Sequence, residues 1–279
     1  MKGLVRTLLT TALAILAVAL TASPAAGSED RRTAPLQLAL GDSWAAGFGA
    51  TVPSEGGYVP QLHDALADRL NCSGQAPRGA EAGCRHLELL NVAVGGATTP
   101  SMVGSQYPQA LPILEARGGN LNPRDDVELV TVHTGGNDVT NPIIAACVFG
   151  AGDCQATVAA ELAAFEADLT GALATLREAA GEAMPIVIGT YDNPIATCFL
   201  AAFPGTVALA DTVLEGGSGV PRGLHDIIRA AATEQGILVA EVYGDLGPQD
   251  WLGGSDCLHP DDSGYDKVTI AFLEALGVG

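Results

Sequence analysis

Short apolar runs recur along this chain and alternate with longer amphipathic stretches. The runs Leu36–Leu40, Leu87–Val92, Val127–His133, Pro185–Tyr191 and Ile237–Val242 are almost continuously hydrophobic, as strands covered on both faces must be. Helical patterning fills the intervals at Tyr58–Leu70, Gln155–Ala180 and Arg222–Gln235, and Tyr265–Leu276 closes the chain. In the longest of these, Leu162, Phe165, Leu169, Leu173 and Leu176 recur near helical spacing, so one stripe faces a core. Strand–helix alternation of this kind predicts an α/β fold, a three-layer α/β/α sandwich around a roughly five-stranded parallel sheet.

Sites in such sheets form outside the carboxyl ends of the strands. Ser43 follows the first predicted strand, Gly95-Gly96 the second and Gly135-Gly136-Asn137 the third, so all three reach one edge. Two stretches rich in Gly, Pro and small residues, Gly74–Gly83 and Pro194–Pro221, read as surface loops, each with a cysteine in or beside it. No repeat, low-complexity tract or linker divides the chain.

The first residues read as an export signal over positions 1–26. Lys2 and Arg6 precede an apolar stretch from Leu8 to Leu20, and small residues follow at Ser23, Ala25 and Ala26. The stretch is shorter than the roughly 20 residues of a comfortable bilayer span. Cleavage after Ala25 or Ala26 leaves residues 27–279 as a single domain, expected to be extracellular and monomeric with no membrane insertion. The net charge is −19, from 32 acidic and 13 basic residues. It becomes about −21 once Lys2 and Arg6 are removed. Such a surface repels phosphate backbones and carries no Lys/Arg cluster, which argues against nucleic acid as a partner.

Six cysteines follow the export signal, and in an oxidising compartment an even count suggests disulfides. Proximity in sequence favours Cys72–Cys84 and Cys147–Cys154, which leaves Cys198–Cys257. A zinc site is the rival reading, and neither C-x-x-C nor H-x-x-x-H spacing supports it. No cofactor or metal is called for.

Two short segments carry chemistry: Gly41-Asp42-Ser43-Trp44 and Asp256-Cys257-Leu258-His259-Pro260. Serine is a poor nucleophile until a neighbouring base takes its proton. Ser43 is the candidate nucleophile, His259 the base, and Asp256 the group that orients the imidazole. Asp42 suits the turn rather than this role. Asp261 and Asp262 rival Asp256 but follow the histidine and suit the cap of the closing helix. His133, at a strand end, reads as a satisfied structural histidine. His63, His86 and His225 have no acidic and serine neighbours in motif spacing. The chain has no G-x-S-x-G elbow, no P-loop and no G-x-G-x-x-G opening a helix after a strand.

Four blocks occur in order: Gly41-Asp42-Ser43, Asn91 to Thr98, Gly135-Gly136-Asn137-Asp138, and Asp256 to Pro260. In these the chain resembles the GDSL/SGNH hydrolase superfamily, most of all its secreted bacterial esterases and lipases with six cysteines. Trp44 stands where the family name has leucine. The resemblance implies a flavodoxin-like sandwich and an acyl-enzyme route without a cofactor. It implies oxyanion donors at the backbone N–H of Ser43, the backbone N–H of Gly96 and the side-chain amide of Asn137, with Gly95 as the alternative to Gly96. A glycine there lets the backbone approach a substrate that a Cβ would obstruct.

The implied substrate is a small-molecule or lipid ester, above all a fatty acyl ester. A carbohydrate acetyl ester is the alternative. An inactive SGNH fold kept as a binding protein is the alternative of another class, and the intact set of five site residues argues against it. Trp44, Phe48, Phe199 and Phe203 are the expected pocket walls.

Overall fold

Five strands form one fully parallel sheet in the computed structural model, which describes residues 34–69, 87–117 and 126–278. They are β1 (Leu36–Gly41), β2 (Glu88–Asn91), β3 (Val127–His133), β4 (Ile186–Gly189) and β5 (Leu238–Ala240). Their spatial order is β2-β1-β3-β4-β5. All five expected runs are strands, although β2, β4 and β5 are shorter than their apolar runs. Every residue of β1 and of β4 is buried, which explains their lack of polar alternation.

Among the described residues the helices are α1 (Pro53–Gly56), α2 (Tyr58–Arg69), α3 (Thr99–Ser105), α4 (Tyr107–Arg117), α5 (Gly136–Ile143), α6 (Cys154–Ala180), α7 (Thr206–Glu215), α8 (Leu224–Glu234) and α9 (Asp262–Ala275). A π-helical turn at Ile144–Val148 continues α5. The sheet grows one way from β1 to β2 and the other way from β3 to β5. Right-handed crossovers therefore place the connecting helices on opposite faces. In accord with this, α2 packs with α9, where Tyr58 and Phe272 stack at 4.5 Å. On the other face α6 packs with α3, α4, α5 and α8, and its five stripe residues are all buried.

Five helices depart from expectation, the one-turn α1 among them. The stretch Pro194–Pro221, read as a loop, contains two 3₁₀ turns and all of α7. Gly205 and Gly216 stand at the ends of α7, and its interior has neither Gly nor Pro. Helices α3, α4 and α5 carry prolines at positions 100, 108, 112 and 142, and proline content hid their periodicity. In α5 the interior Pro142 is followed at once by the π turn, a common response to a lost helical hydrogen bond. Residues 1–26, Gly74–Gly83, His86 and the expected Cys72–Cys84 pair lie outside the described residues. Among the described residues no helix is long and apolar enough to cross a membrane. Disulfides join Cys147 to Cys154 and Cys198 to Cys257.

The end of β1 is held in an unusual way. Ladder pairing with β2 stops at Asn91, and beyond it the Val94 N–H still donates to the Gly41 carbonyl at 3.0 Å while the buried side chain of Gln106 joins in. Gln106 Oε1 accepts from the Gly41 N–H at 2.8 Å, and its Nε2 donates to the Gly41 carbonyl at 2.7 Å. The carboxamide thus supplies the acceptor that the Gly41 N–H lacks from the neighbouring chain and adds a second donor to the Gly41 carbonyl. Gly41 itself has φ 136°, and a Cβ there would clash with the His133 carbonyl oxygen, so β1 and β3 can close only on glycine. Replacing Gln106 with Leu leaves the buried Gly41 N–H without its acceptor, and we expect a loss of about 1–3 kcal/mol. Urea unfolding reads this directly, and an unchanged midpoint would show the pairing to be dispensable.

Candidate active site

Directly after β1 the chain turns, and Asp42 makes the turn. Its N–H donates to the His133 carbonyl at 2.9 Å. Its carboxylate accepts the Trp44 N–H at 2.9 Å and the Tyr191 hydroxyl at 2.6 Å. Burial pushes this carboxyl up to about 7. The bonds from Tyr191 and Trp44 oppose the rise, and the charge of Asp138 adds to it. Asp42 therefore shapes the turn, and Ser43 is presented at its apex.

The loop between β5 and α9 brings the second segment to the same edge. Ser43 Oγ lies 2.8 Å from His259 Nε2, and His259 Nδ1 lies 2.8 Å from Asp256 Oδ2. The other Asp256 oxygen accepts the N–H groups of Leu258 and His259, both at 2.9 Å. These partners assign the tautomer: Nδ1–H donates to the carboxylate, and Nε2 is left to accept from the serine. Burial alone would raise the Asp256 carboxyl, but its bonds from His259 and the two backbone groups hold it below the ordinary carboxylate value. The rival acids serve elsewhere. Asp261 caps α9 through the Gly264 N–H at 3.1 Å, and Asp262 accepts from Thr51.

Trp44, in the place of the family's leucine, joins the two segments. Its buried indole donates to the Leu258 carbonyl at 2.9 Å and packs on His133, Tyr191 and Trp251. From the other side the Cys198–Cys257 disulfide ties the histidine loop to the segment after β4.

Asn137 is the second residue of α5, and its amide donates to the Ala97 carbonyl at 3.0 Å. This bond places it beside the Gly95-Gly96 turn. The turn in its own right passes Ser43, since a Cβ on Gly95 would lie 3.9 Å from that of Ser43. Among the described residues the Ser43 and Gly96 N–H groups donate to no protein acceptor. At Gly96 an added Cβ would meet nothing within 4 Å, while φ is 79°. The demand for glycine is therefore conformational, not a matter of clearance from the protein.

A cleft, partly open to solvent, starts at Ser43 and Asn137. It runs between the α5–π-turn wall (Val139, Ile143, Val148) and the α7 wall (Leu209, Val213). Trp44 contributes to it, but Phe48, Phe199 and Phe203 do not. These three are exposed on loops and 3₁₀ turns, and the walls on α5 and α7 are mainly aliphatic instead.

The remaining histidines divide. His133 is buried and bonded through Nε2 to the Thr190 carbonyl at 2.9 Å, and burial lowers it to about 3. Its Nδ1 has no partner among the described residues, so it is structural but only half satisfied. His225, read as lacking an acidic neighbour, pairs through Nδ1 with Glu215, and its Nε2 accepts the Tyr191 N–H at 3.1 Å. Ten residues and a helix end separate this pair, which spacing could not reveal. Among the described residues no group of three or more His, Cys, Asp or Glu is placed to hold a metal ion.

Comparison with known proteins gives a consistent picture. The model of the GDSL-like lipase/acylhydrolase family matches residues 39–267. No curated protein sequence matches the chain. Among solved structures, the lipase Lip_vut3 from a goat rumen metagenome is similar at 19% identity and TM-score 0.60, over 86% of this chain and 97% of that one. An extracellular lipase from Streptomyces rimosus is similar at 18% identity and TM-score 0.55, over 88% and 99%. The acetylxylan esterase Axe2 from Geobacillus stearothermophilus is similar at 15% identity and TM-score 0.53, over 88% and 96%. At these identities the structures share the fold.

The buried Asp42 has a measurable consequence. A carboxyl raised above its unfolded value holds its proton more tightly in the native chain, so stability falls as pH rises from about 4 to about 7. At roughly 1.4 kcal/mol per pH unit the loss is at most about 4 kcal/mol across that window. We expect Asp42→Asn to flatten this part of the pH–stability curve relative to the parent. Parallel curves for the two proteins would show that Asp42 does not titrate there.

Proposed function

The chain belongs to the GDSL-like lipase/acylhydrolase family, and we propose that it is an exported ester hydrolase that cleaves fatty acyl esters through Ser43, His259 and Asp256. The observation that carries this reading is the unbroken hydrogen-bond chain from Ser43 Oγ to the Asp256 carboxylate, set at the head of an aliphatic cavity.

The chemistry follows from the geometry. His259 Nε2 takes the Ser43 proton as Oγ attacks the ester carbonyl. The imidazolium so formed is stabilised by Asp256, whose carboxyl is held in its charged form. Negative charge gathers on the former carbonyl oxygen, where the N–H groups of Ser43 and Gly96 and the Asn137 amide are the proposed donors. The Asn137 amide has two N–H bonds and uses one on Ala97, which fixes its direction and leaves the other. Collapse transfers the His259 proton to the departing alcohol. A water molecule then repeats the sequence on the acyl-enzyme.

The acyl cavity supports a fatty chain over an acetyl group, since its walls offer methyl and methylene groups well beyond the first carbons of an acid. Export is supported by the signal-like opening residues and by disulfides, which persist in oxidising compartments. The Streptomyces rimosus relative is an extracellular lipase, in keeping with this reading.

Hydrolysis of p-nitrophenyl esters from acetyl to palmitoyl tests the assignment. The expected optimum is longer than acetyl, and Ser43→Ala is expected to lower the rate about 10⁴-fold or more. Asn137→Ala should lower kcat about 100- to 1,000-fold with little change in KM. A preference for acetyl would favour the carbohydrate acetylesterase reading, and undiminished activity in Ser43→Ala would sink the serine mechanism.

A further inference from the structure

Phenylalanine is scarce in this chain, and most of it lies at the surface. Of six phenylalanines only Phe165 and Phe272 are buried, while Phe48, Phe149, Phe199 and Phe203 are 53%, 59%, 53% and 37% exposed. Scattered exposed apolar residues are ordinary. These four are not scattered.

They follow one arc at the carboxyl edge of the sheet. The Phe48 ring lies against His259, with centroids 4.5 Å apart. Next to it stands the exposed Leu252, whose N–H donates to the His259 carbonyl at 3.2 Å. Two residues on, the Gly254 carbonyl accepts the Phe199 N–H at 3.0 Å. A single 3₁₀ turn carries the chain from Phe199 to Phe203, and the Phe203 ring meets Phe149 edge-on at 5.8 Å. The arc meets the acyl cavity through chain neighbours. Val148, Cys257 and Thr206 line the cavity from inside, each close in sequence to a member of the arc or to His259.

Charge decides what can sit on this arc. The segments that form it, residues 44–57, 137–153, 194–210 and 247–263, contain no Lys or Arg, and the whole chain carries −19. Anionic headgroups are drawn to basic clusters, so this rim would repel them. Apolar partition remains, and burial of one phenylalanine ring is worth about tenfold or more in an equilibrium constant.

We propose that the arc Phe48–Leu252–Phe199–Phe203–Phe149 docks the protein on a lipid surface without net negative charge, with the acyl cavity opening onto the layer that holds the ester. This rests on the fatty acyl ester reading, because that substrate gathers into such surfaces. It explains why the aromatic side chains expected as pocket walls face outward.

The test is co-sedimentation of the Ser43→Ala protein, which lacks turnover, with phosphatidylcholine vesicles. Binding is expected, weakened by added phosphatidylglycerol, and about tenfold or more weaker when Phe149, Phe199 and Phe203 are all changed to Ser. Leucine at the same three positions should retain it. With Ser43 intact, the triple Ser variant should hydrolyse soluble p-nitrophenyl butyrate within about twofold of the parent, yet lose about tenfold on an emulsified long-chain ester. If the triple variant loses the soluble activity too, Phe149→Ser alone carries the comparison, with about a threefold loss of vesicle binding expected. The proposal is overturned by a parent that ignores phosphatidylcholine, by equal binding of parent and triple variant, by tighter binding to anionic vesicles, or by a lipid-free dimer that the triple variant abolishes. A parent that binds vesicles but hydrolyses no soluble ester would count against the hydrolase reading, not against the docking arc.

Discussion

Two loops separated by more than two hundred residues must meet within hydrogen-bond distance, and the rest of the structure serves that constraint. The Ser43–His259 contact spans 216 positions, so closing it is a matter of tertiary packing. A fully parallel sheet delivers both loops to one edge. The side chains then fix the register. Gln106 pairs with the last residue of β1, Asp42 braces the turn, and the Trp44 indole fastens the serine segment to the carbonyl beside His259. The Cys198–Cys257 bridge fastens the histidine loop from its outer side. Leucine at position 44 could neither fill the space of the buried indole nor donate that hydrogen bond.

The two acidic residues of the site are treated in opposite ways. Asp256 has the imidazole and two backbone N–H groups as donors, and these outweigh its partial burial. Its charge is thereby kept beside the histidine proposed as the base, which turns positive on taking the serine proton. Asp42 is almost wholly buried, and two hydrogen bonds do not offset the loss of solvent. One carboxyl is placed for electrostatics and the other for shape. Environments that push similar groups apart in this way commonly mark acid–base sites.

The sheet was legible in the sequence because strands buried on both faces leave no room for polar alternation, and all five apolar runs proved to be strands. The long helix α6 declared itself through an uninterrupted stripe from Leu162 to Leu176. Helices α3, α4, α5 and α7 did not, because their prolines or flanking glycines outweighed their periodicity in a reading by composition. The triad candidates were legible because Asp256 and His259 sit three apart and Ser43 follows a strand. Gln106, Tyr191 and the His225–Glu215 pair were not, since each acts through a contact that only the folded chain creates. The phenylalanines mark a further limit: sequence shows that a residue is apolar, not which way its loop turns it.

The most direct measurement is covalent labelling of the intact protein with a fluorophosphonate, followed by mass mapping of its peptides. The expected result is a single adduct on Ser43, formed at least about 100-fold more slowly in His259→Ala because the base that activates the serine is gone. An adduct on another residue, or an unchanged rate without His259, would contradict the assignment of Ser43 and His259 as nucleophile and base.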